Sequence, residues 1–227
     1  MADTDRQFDA VLFDWCGTLV EYPTREQRIT QVLERLGRPH DRRTVDDLSQ
    51  AFATAKTHPE AIESDRVCDL SAANHEASKR LTCKLAGFDD ELAAALEQSY
   101  GDFTTYRTYP EVEEVITTLH GHGVEIAIVS DFHVDLRPWF ASLGVFDCIA
   151  GFAISYEVGA TKPDRRMFDA ALSTVSTPAQ RCLMVGDNPG PDTGAAALGI
   201  TTLIMPVQRV DRPALLHRVA ALAVPST

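Results

Sequence analysis

The feature that most constrains this chain is an alternation. Short apolar runs take turns with amphipathic helical patterns. The runs are Ala10–Phe13, Val124–Val129, Cys148–Ile154, Cys182–Val185 and Thr202–Ile204. Each is short enough to be a buried strand and too short for a core helix. Between them, Pro110–His120 places Val112, Val115, Ile116 and Leu119 on one helical face, with Pro110 suited to the first turn and Gly121 and Gly123 able to stop it. Asp164–Val175 does the same with Phe168, Ala171, Leu172 and Val175. Pro191–Leu198 is a short helix ending at Gly199, and Arg212–Leu222 closes the pattern. Parallel neighbours need a crossover, usually a helix, so this order predicts an α/β fold: a doubly wound parallel sheet with helices on both faces.

Residues 21–106 break the alternation. Nothing in them reads as a strand. Helical spacing recurs at Arg25–Leu36, where Ile29, Val32, Leu33 and Leu36 share a face, and at Thr44–Ala55, Ala73–Leu85 and Glu91–Phe103. The expected organisation is a core made of residues 1–20 and 107–227, with an all-helical insertion over 21–106. Ligands of parallel sheets sit at the carboxyl ends of the strands, and the insertion follows such an end, so it is expected to act as a lid.

With 227 residues, 44% of them hydrophobic, the chain can build one core and carry an insertion. A net charge of −12 argues against nucleic acid and anionic membranes, whose phosphates need Lys and Arg, but not against a small anionic substrate. The five cysteines, 16, 68, 83, 148 and 182, form no C-x-x-C pair and no zinc spacing. They read as thiols of a reducing compartment. The opening "MADTDRQ" lacks the apolar stretch of a signal peptide, and no apolar run approaches the ~20 residues of a membrane span. The expected location is cytoplasmic.

Candidate chemistry gathers where strands end. The first delivers Asp14 in "VLFDWCGTLV", and the second, "VEIAIVSDF", delivers Ser130 and Asp131. "GATKPDRRMF" carries Lys162 ahead of a helix, and "CLMVGDNPGPD" delivers Asp187 and Asp192. Singly, such residues finish strands and cap helices. Together at one sheet edge they suit phosphoryl transfer. Asp14 and Asp187 are hard oxygen ligands for Mg²⁺. Lys162 and the Ser130 hydroxyl can hold phosphoryl oxygens, and Asp14 can attack phosphorus. Gly17 would let the backbone turn tightly and offer amide N–H groups to an anion. Trp15 and Asp131 stand beside these and count with them as substrate contacts. Asp131 and His133 are otherwise read as a solvated loop.

In four motifs, "FDWCGTLV", "IVSD", "TKPD" and "GDNPGPD", taken in this order, the chain resembles the haloacid dehalogenase superfamily. The resemblance covers nearly the whole chain. It implies a Rossmann-like core and a helical cap in the insertion. It implies Asp14 as nucleophile, Ser130 and Lys162 as phosphoryl holders, and Asp187, Asp192 and the backbone carbonyl of Cys16 around Mg²⁺. The substrate would be a small phosphorylated metabolite. Phosphatases of the family usually carry an Asp, the general acid and base, where this chain has Cys16. A thiol with an ordinary pKa near ~8.5 is a poor substitute, and such groups are worth ~10²–10⁴ in rate.

The thiol opens three alternatives. Phosphonate-cleaving members resemble "DWCGT" with "DWAGT" and use a cap lysine, for which Lys56 is the candidate beside Lys79 and Lys84. Dehalogenating members need no magnesium, and Asp187 counts against them. The third is a protein that keeps the phosphate and magnesium pocket with little turnover. Oligomeric state is not legible in the sequence.

Overall fold

A computed structural model describes residues 6–205 and 215–224. They divide into two compact units, one formed by the residues up to Glu21 together with those from Thr108 onward, the other by Tyr22–Arg107.

The first unit is built on a parallel sheet of five strands: β1 (Ala10–Phe13), β4 (Glu125–Ser130), β5 (Gly151–Ile154), β6 (Cys182–Gly186) and β7 (Thr201–Ile204). Two short strands, β2 (Val20–Glu21) and β3 (Arg107–Thr108), pair as a ribbon where the chain leaves this unit and returns. The order across the large sheet is β5-β4-β1-β6-β7, with Phe13 opposite Ile128 on one side and Val185 on the other. After β1 the chain winds first to one side and then, at β6, to the other. The switch point therefore lies between β1 and β6, where such sheets bind ligands.

Strands covered on both faces are apolar throughout. All four residues of β1 are fully buried, and a buried side chain of the size of Leu or Phe contributes roughly 1.5–3 kcal/mol. Alternation sends Ala10 and Leu12 to one face, where Met167, Phe168 and Ala171 cover them. The last three residues lie on α9 (Arg165–Leu172), which follows α7 (Arg137–Ser142) and α8 (Ser155–Val158) in the chain. On the sheet, α6 (Val112–Gly121) packs against β4 and against α11 (Leu216–Ala223), while α10 (Pro189–Asp192) follows β6.

The second unit is helical: α1 (Arg25–Arg35), α2 (Arg42–Ala55), α3 (Pro59–Asp65), α4 (Ala72–Leu85) and α5 (Asp90–Gln98). It has its own core, with Ile29, Val32, Leu33, Phe52, Cys83 and Leu96 among its members. Thr24, Asp41, Ser71 and Asp89 each accept a backbone N–H at a helix start, and Thr24 completes a capping box with Gln27.

Several boundaries differ from the sequence expectation. The helix expected to Val175 stops at Leu172, because the Ser173 and Thr174 hydroxyls bond back to the Ala170 and Ala171 carbonyls at 2.6 and 2.8 Å. The run from Cys148 becomes a strand only at Gly151, after a 3₁₀ turn over Phe146–Cys148. The helix expected over Pro191–Leu198 is α10 followed by a 3₁₀ helix, Thr193–Leu198. Tightness explains it: a Cβ on Gly194 would sit 2.8 Å from the Pro163 carbonyl oxygen. Residues 212–214 of the last expected helix lie outside the described residues.

Candidate active site

Three strand ends and two loops meet at the carboxyl edge of the sheet. Asp14 follows β1, and its N–H continues the ladder to the Val185 carbonyl at 2.9 Å. Its carboxylate is buried, accepting from Lys162 Nζ at 2.7 Å and from the Thr18 hydroxyl at 3.3 Å. Lys162 Nζ also donates to Asp192 Oδ1 at 2.7 Å. The other Asp192 oxygen accepts the Asn188 N–H at 3.0 Å, which fixes the loop after β6. Gly186 permits this: a Cβ there would lie 2.1 Å from Asp192 Oδ2. Asp187 completes the set. Oxygens of Asp14, Asp187 and Asp192 lie within 4.8 Å of one another.

Three carboxylates around one ammonium leave an excess of negative charge. Burial would pull the Lys162 ammonium down, but Asp14, Asp192 and Asp131 outweigh it and push the pKa up. Burial lifts Asp14, Asp192 adds to the rise, and Lys162 opposes it. Asp187 is pushed up to about 7 by burial, with the Asp14 and Asp192 charges adding to it. A hard divalent cation relieves that repulsion, and an all-oxygen donor set suits Mg²⁺.

Ser130 ends β4, 1% exposed, and its hydroxyl has no hydrogen-bond partner. An unmet buried hydroxyl costs roughly 1–3 kcal/mol, a cost that an incoming ligand oxygen would remove.

Other residues fall differently from expectation. Trp15 is fully buried, edge-on to Phe132 and Trp139 at 4.9 and 5.6 Å, so its side chain is a core group rather than a substrate contact. Gly17 does turn the backbone, at φ 87°, but its N–H is spent on the Val20 carbonyl at 2.7 Å and is not offered to an anion. The Asp131 carboxylate accepts the Lys162 backbone N–H at 2.9 Å, which makes it a brace for the lysine loop. His133 is buried against Phe132 and is not part of a solvated loop. Cys16 is half-buried and forms an isolated bridge with Val20. Two supporting residues went unread. Thr18 holds Asp14, and the Ser155 hydroxyl clamps the Phe132 backbone, accepting from its N–H at 2.9 Å and donating to its carbonyl at 3.1 Å.

In the helical unit Lys56 is exposed and pairs with Asp65 at 3.3 Å. Lys79 is buried and pairs with the same carboxylate at 3.0 Å. Among the described residues no helix is long and apolar enough to cross a membrane.

The model of one family, haloacid dehalogenase-like hydrolase, matches residues 8–199. A phosphoserine phosphatase of Thermus thermophilus is 32% identical over 115 residues, 50% of this chain and 46% of that protein. The match thus spans about half of that relative's length. Among solved structures, a HAD-hydrolase of Bacillus subtilis bound to magnesium superposes with a TM-score of 0.64 at 17% identity, covering 91% of this chain and 89% of that one. An L-2-haloacid dehalogenase of Xanthobacter autotrophicus gives 0.63 at 20% identity, covering 96% and 85%. At these identities the two superpositions show the fold.

Proposed function

The chain belongs to the haloacid dehalogenase-like hydrolases, and from that premise we propose that it is a magnesium-dependent phosphatase of small phosphorylated metabolites. One observation carries the reading. Asp14, Asp187 and Asp192 converge around a single lysine, an excess of negative charge suited to a divalent cation. The phosphatase among its relatives supports the same choice. The Asp187 carboxylate, placed beside Asp14 and Asp192, counts against a carbon–halogen hydrolase, which needs no cation.

The residues divide the work. Asp14, Asp187 and Asp192, with the Cys16 carbonyl, would hold Mg²⁺, which supplies charge neutralisation at the phosphoryl oxygens. Asp14 attacks phosphorus. Thr18 fixes its second oxygen, so the attacking oxygen keeps one orientation. Lys162 and the unpartnered Ser130 hydroxyl take the phosphoryl oxygens as charge spreads over them. Asp131 holds the Lys162 loop in register. The helical unit is the expected source of substrate selectivity. The phosphonate reading gains nothing from Lys56, whose ammonium is paired with Asp65.

The test is magnesium-dependent phosphate release from a panel of phosphomonoesters and acyl phosphates, with Asp14→Asn beside the wild type. Asp14→Asn is expected to release none above background. Turnover surviving in that variant removes Asp14 as nucleophile.

A further inference from the structure

We propose that Ser155 is a positioning residue for the phosphoryl pocket: its hydroxyl extends the pairing of β4 with β5 past the ends of both strands, and so holds the Ser130 hydroxyl and the Lys162 ammonium as one frame. The inference rests on those two groups being the phosphoryl holders.

It starts where the sheet stops. The ladder between β4 and β5 runs out with Ser130 opposite Ile154. On one side the chain goes on to Asp131 and Phe132. On the other it turns into α8 at Ser155, whose carbonyl is taken by the Gly159 N–H at 2.8 Å. The backbone there no longer serves the neighbouring strand, and buried backbone groups need partners. The Ser155 hydroxyl takes over, accepting the Phe132 N–H at 2.9 Å and donating to the Phe132 carbonyl at 3.1 Å. Ser155 is fully buried and Phe132 is 7% exposed, so water does not compete for these bonds.

The same stretch carries the site. Ser130 offers its hydroxyl, Asp131 accepts the Lys162 backbone N–H at 2.9 Å, and Phe132 is held by Ser155. From Ser155 the chain passes through α8, turns at Gly159 (φ 71°) and buries Ala160 before it reaches Lys162. Two adjacent residues after β4 therefore grip both ends of the segment 155–162. Arg137 and Glu157 join the same stretches at 2.7 and 3.1 Å, but they are exposed, and exposed pairs contribute little. The buried hydroxyl is the stronger tie.

The consequence is for the spacing of two donors on different elements. Lys162 Nζ lies 2.7 Å from both Asp14 and Asp192, while Ser130 approaches from the end of β4. Donors fixed in advance need no rearrangement as charge spreads over the phosphoryl oxygens. Without the Ser155 hydroxyl the Phe132 backbone is released, and the spacing of Ser130 and Lys162 relaxes. A misplacement of about 1 Å costs on the order of 10²-fold in rate. The loss falls on the transition state more than on the bound substrate, because the charge to be held is greatest there.

The experiment compares the full chain with Ser155→Ala and Ser155→Thr in magnesium, with fluorescence confirming that each is folded. It reads kcat and KM for the phosphomonoester of the panel that the wild type hydrolyses fastest. It also reads inhibition by inorganic phosphate and by orthovanadate, a mimic of the five-coordinate transition state, and the Lys162 amide in ¹H–¹⁵N spectra. Ser155→Ala should lower kcat on the order of 10²-fold with KM little changed, weaken orthovanadate more than phosphate, and shift the Lys162 amide. Ser155→Thr, which keeps the hydroxyl, should recover most of kcat. In the wild type the Phe132 amide should exchange with solvent as slowly as those of β4. A folded Ser155→Ala with wild-type kcat and an unmoved Lys162 amide overturns the inference and leaves the phosphatase reading intact. So does a Phe132 amide that exchanges at the rate of an open loop, a result that needs no variant to fold. If the wild type releases no phosphate and binds neither anion, the phosphatase reading itself falls.

Discussion

Replacing Lys162 by Met keeps the buried stem and deletes the cation that Asp14 and Asp192 share among the described residues. The side chains involved are 3%, 7% and 1% exposed for Lys162, Asp14 and Asp192, so water cannot stand in for the ammonium. Removing one partner of such a buried pair costs roughly 3–5 kcal/mol, against a total of about 5–15 kcal/mol for a domain. With a urea slope of ~1–3 kcal/mol per M, the midpoint should fall by at least about 1 M. Both tryptophans of the chain, Trp15 and Trp139, are buried in the unit that holds the site, so their fluorescence reports on that unit alone. The pH dependence has a definite sign. Burial already lifts Asp14 and Lys162 opposes the rise, so without the lysine Asp14 prefers the protonated form when folded, and the folded state binds more protons than the unfolded one above pH ~4. The loss is therefore greatest near pH 8, shrinks towards pH 5, and is partly reversed by magnesium. An unchanged midpoint at pH 8 without magnesium, or a loss that deepens on acidification, would refute the account of Lys162 as the counter-ion of the cluster.

Two further outcomes follow from the same geometry. Asp187 is held up at about 7 when no cation is bound, so magnesium must displace its proton at lower pH. Titration calorimetry should show affinity rising about tenfold per pH unit up to neutrality and levelling above it, and a flat profile from pH 5 to 8 would contradict this. Gly186→Ala places a Cβ 2.1 Å from Asp192 Oδ2, so the carboxylate must move off Lys162 and the Asn188 N–H. Such overpacking costs about 1–3 kcal/mol, and thermal unfolding with and without magnesium should show both lower stability and a smaller metal-induced rise. A variant with wild-type melting and metal response would mean that the strand tolerates the methyl.

The parts of the site legible in the sequence are those whose chemistry is tied to a strand end. β1 runs apolar to Phe13 and stops at an acid, β4 stops at a serine, and β6 stops at Gly186 before Asp187. Burial on both faces forces such runs to be apolar, so the first polar residue marks the edge. Lys162 was legible for another reason, its place before a helix whose start is capped by Asp164. What lay beyond reading depends on direction rather than composition. Trp15 is a core group because Phe132 and Trp139, distant in the chain, close over it, and the Gly17 N–H is withheld from an anion because the Val20 carbonyl takes it. Ser155 bonds Phe132 from a distant part of the chain, and no local pattern marks it. The short helices α3, α7 and α8 have too few turns to show a period.

The strand that carries the nucleophile has a particular history during synthesis. β1 is made first, yet its two neighbours in the sheet are β4 and β6. The helical unit lies between β1 and β4 in the chain and has a core of its own. A growing chain can therefore pack that local helical core while β1, entirely apolar, still waits for Glu125–Ser130 to emerge, and then for Cys182–Gly186. Contacts so distant in sequence form slowly, and an unpaired apolar strand is what holdase chaperones bind and what aggregates recruit. Refolding yield should thus depend on protein concentration more steeply than that of a fold whose central strand pairs with the next one made.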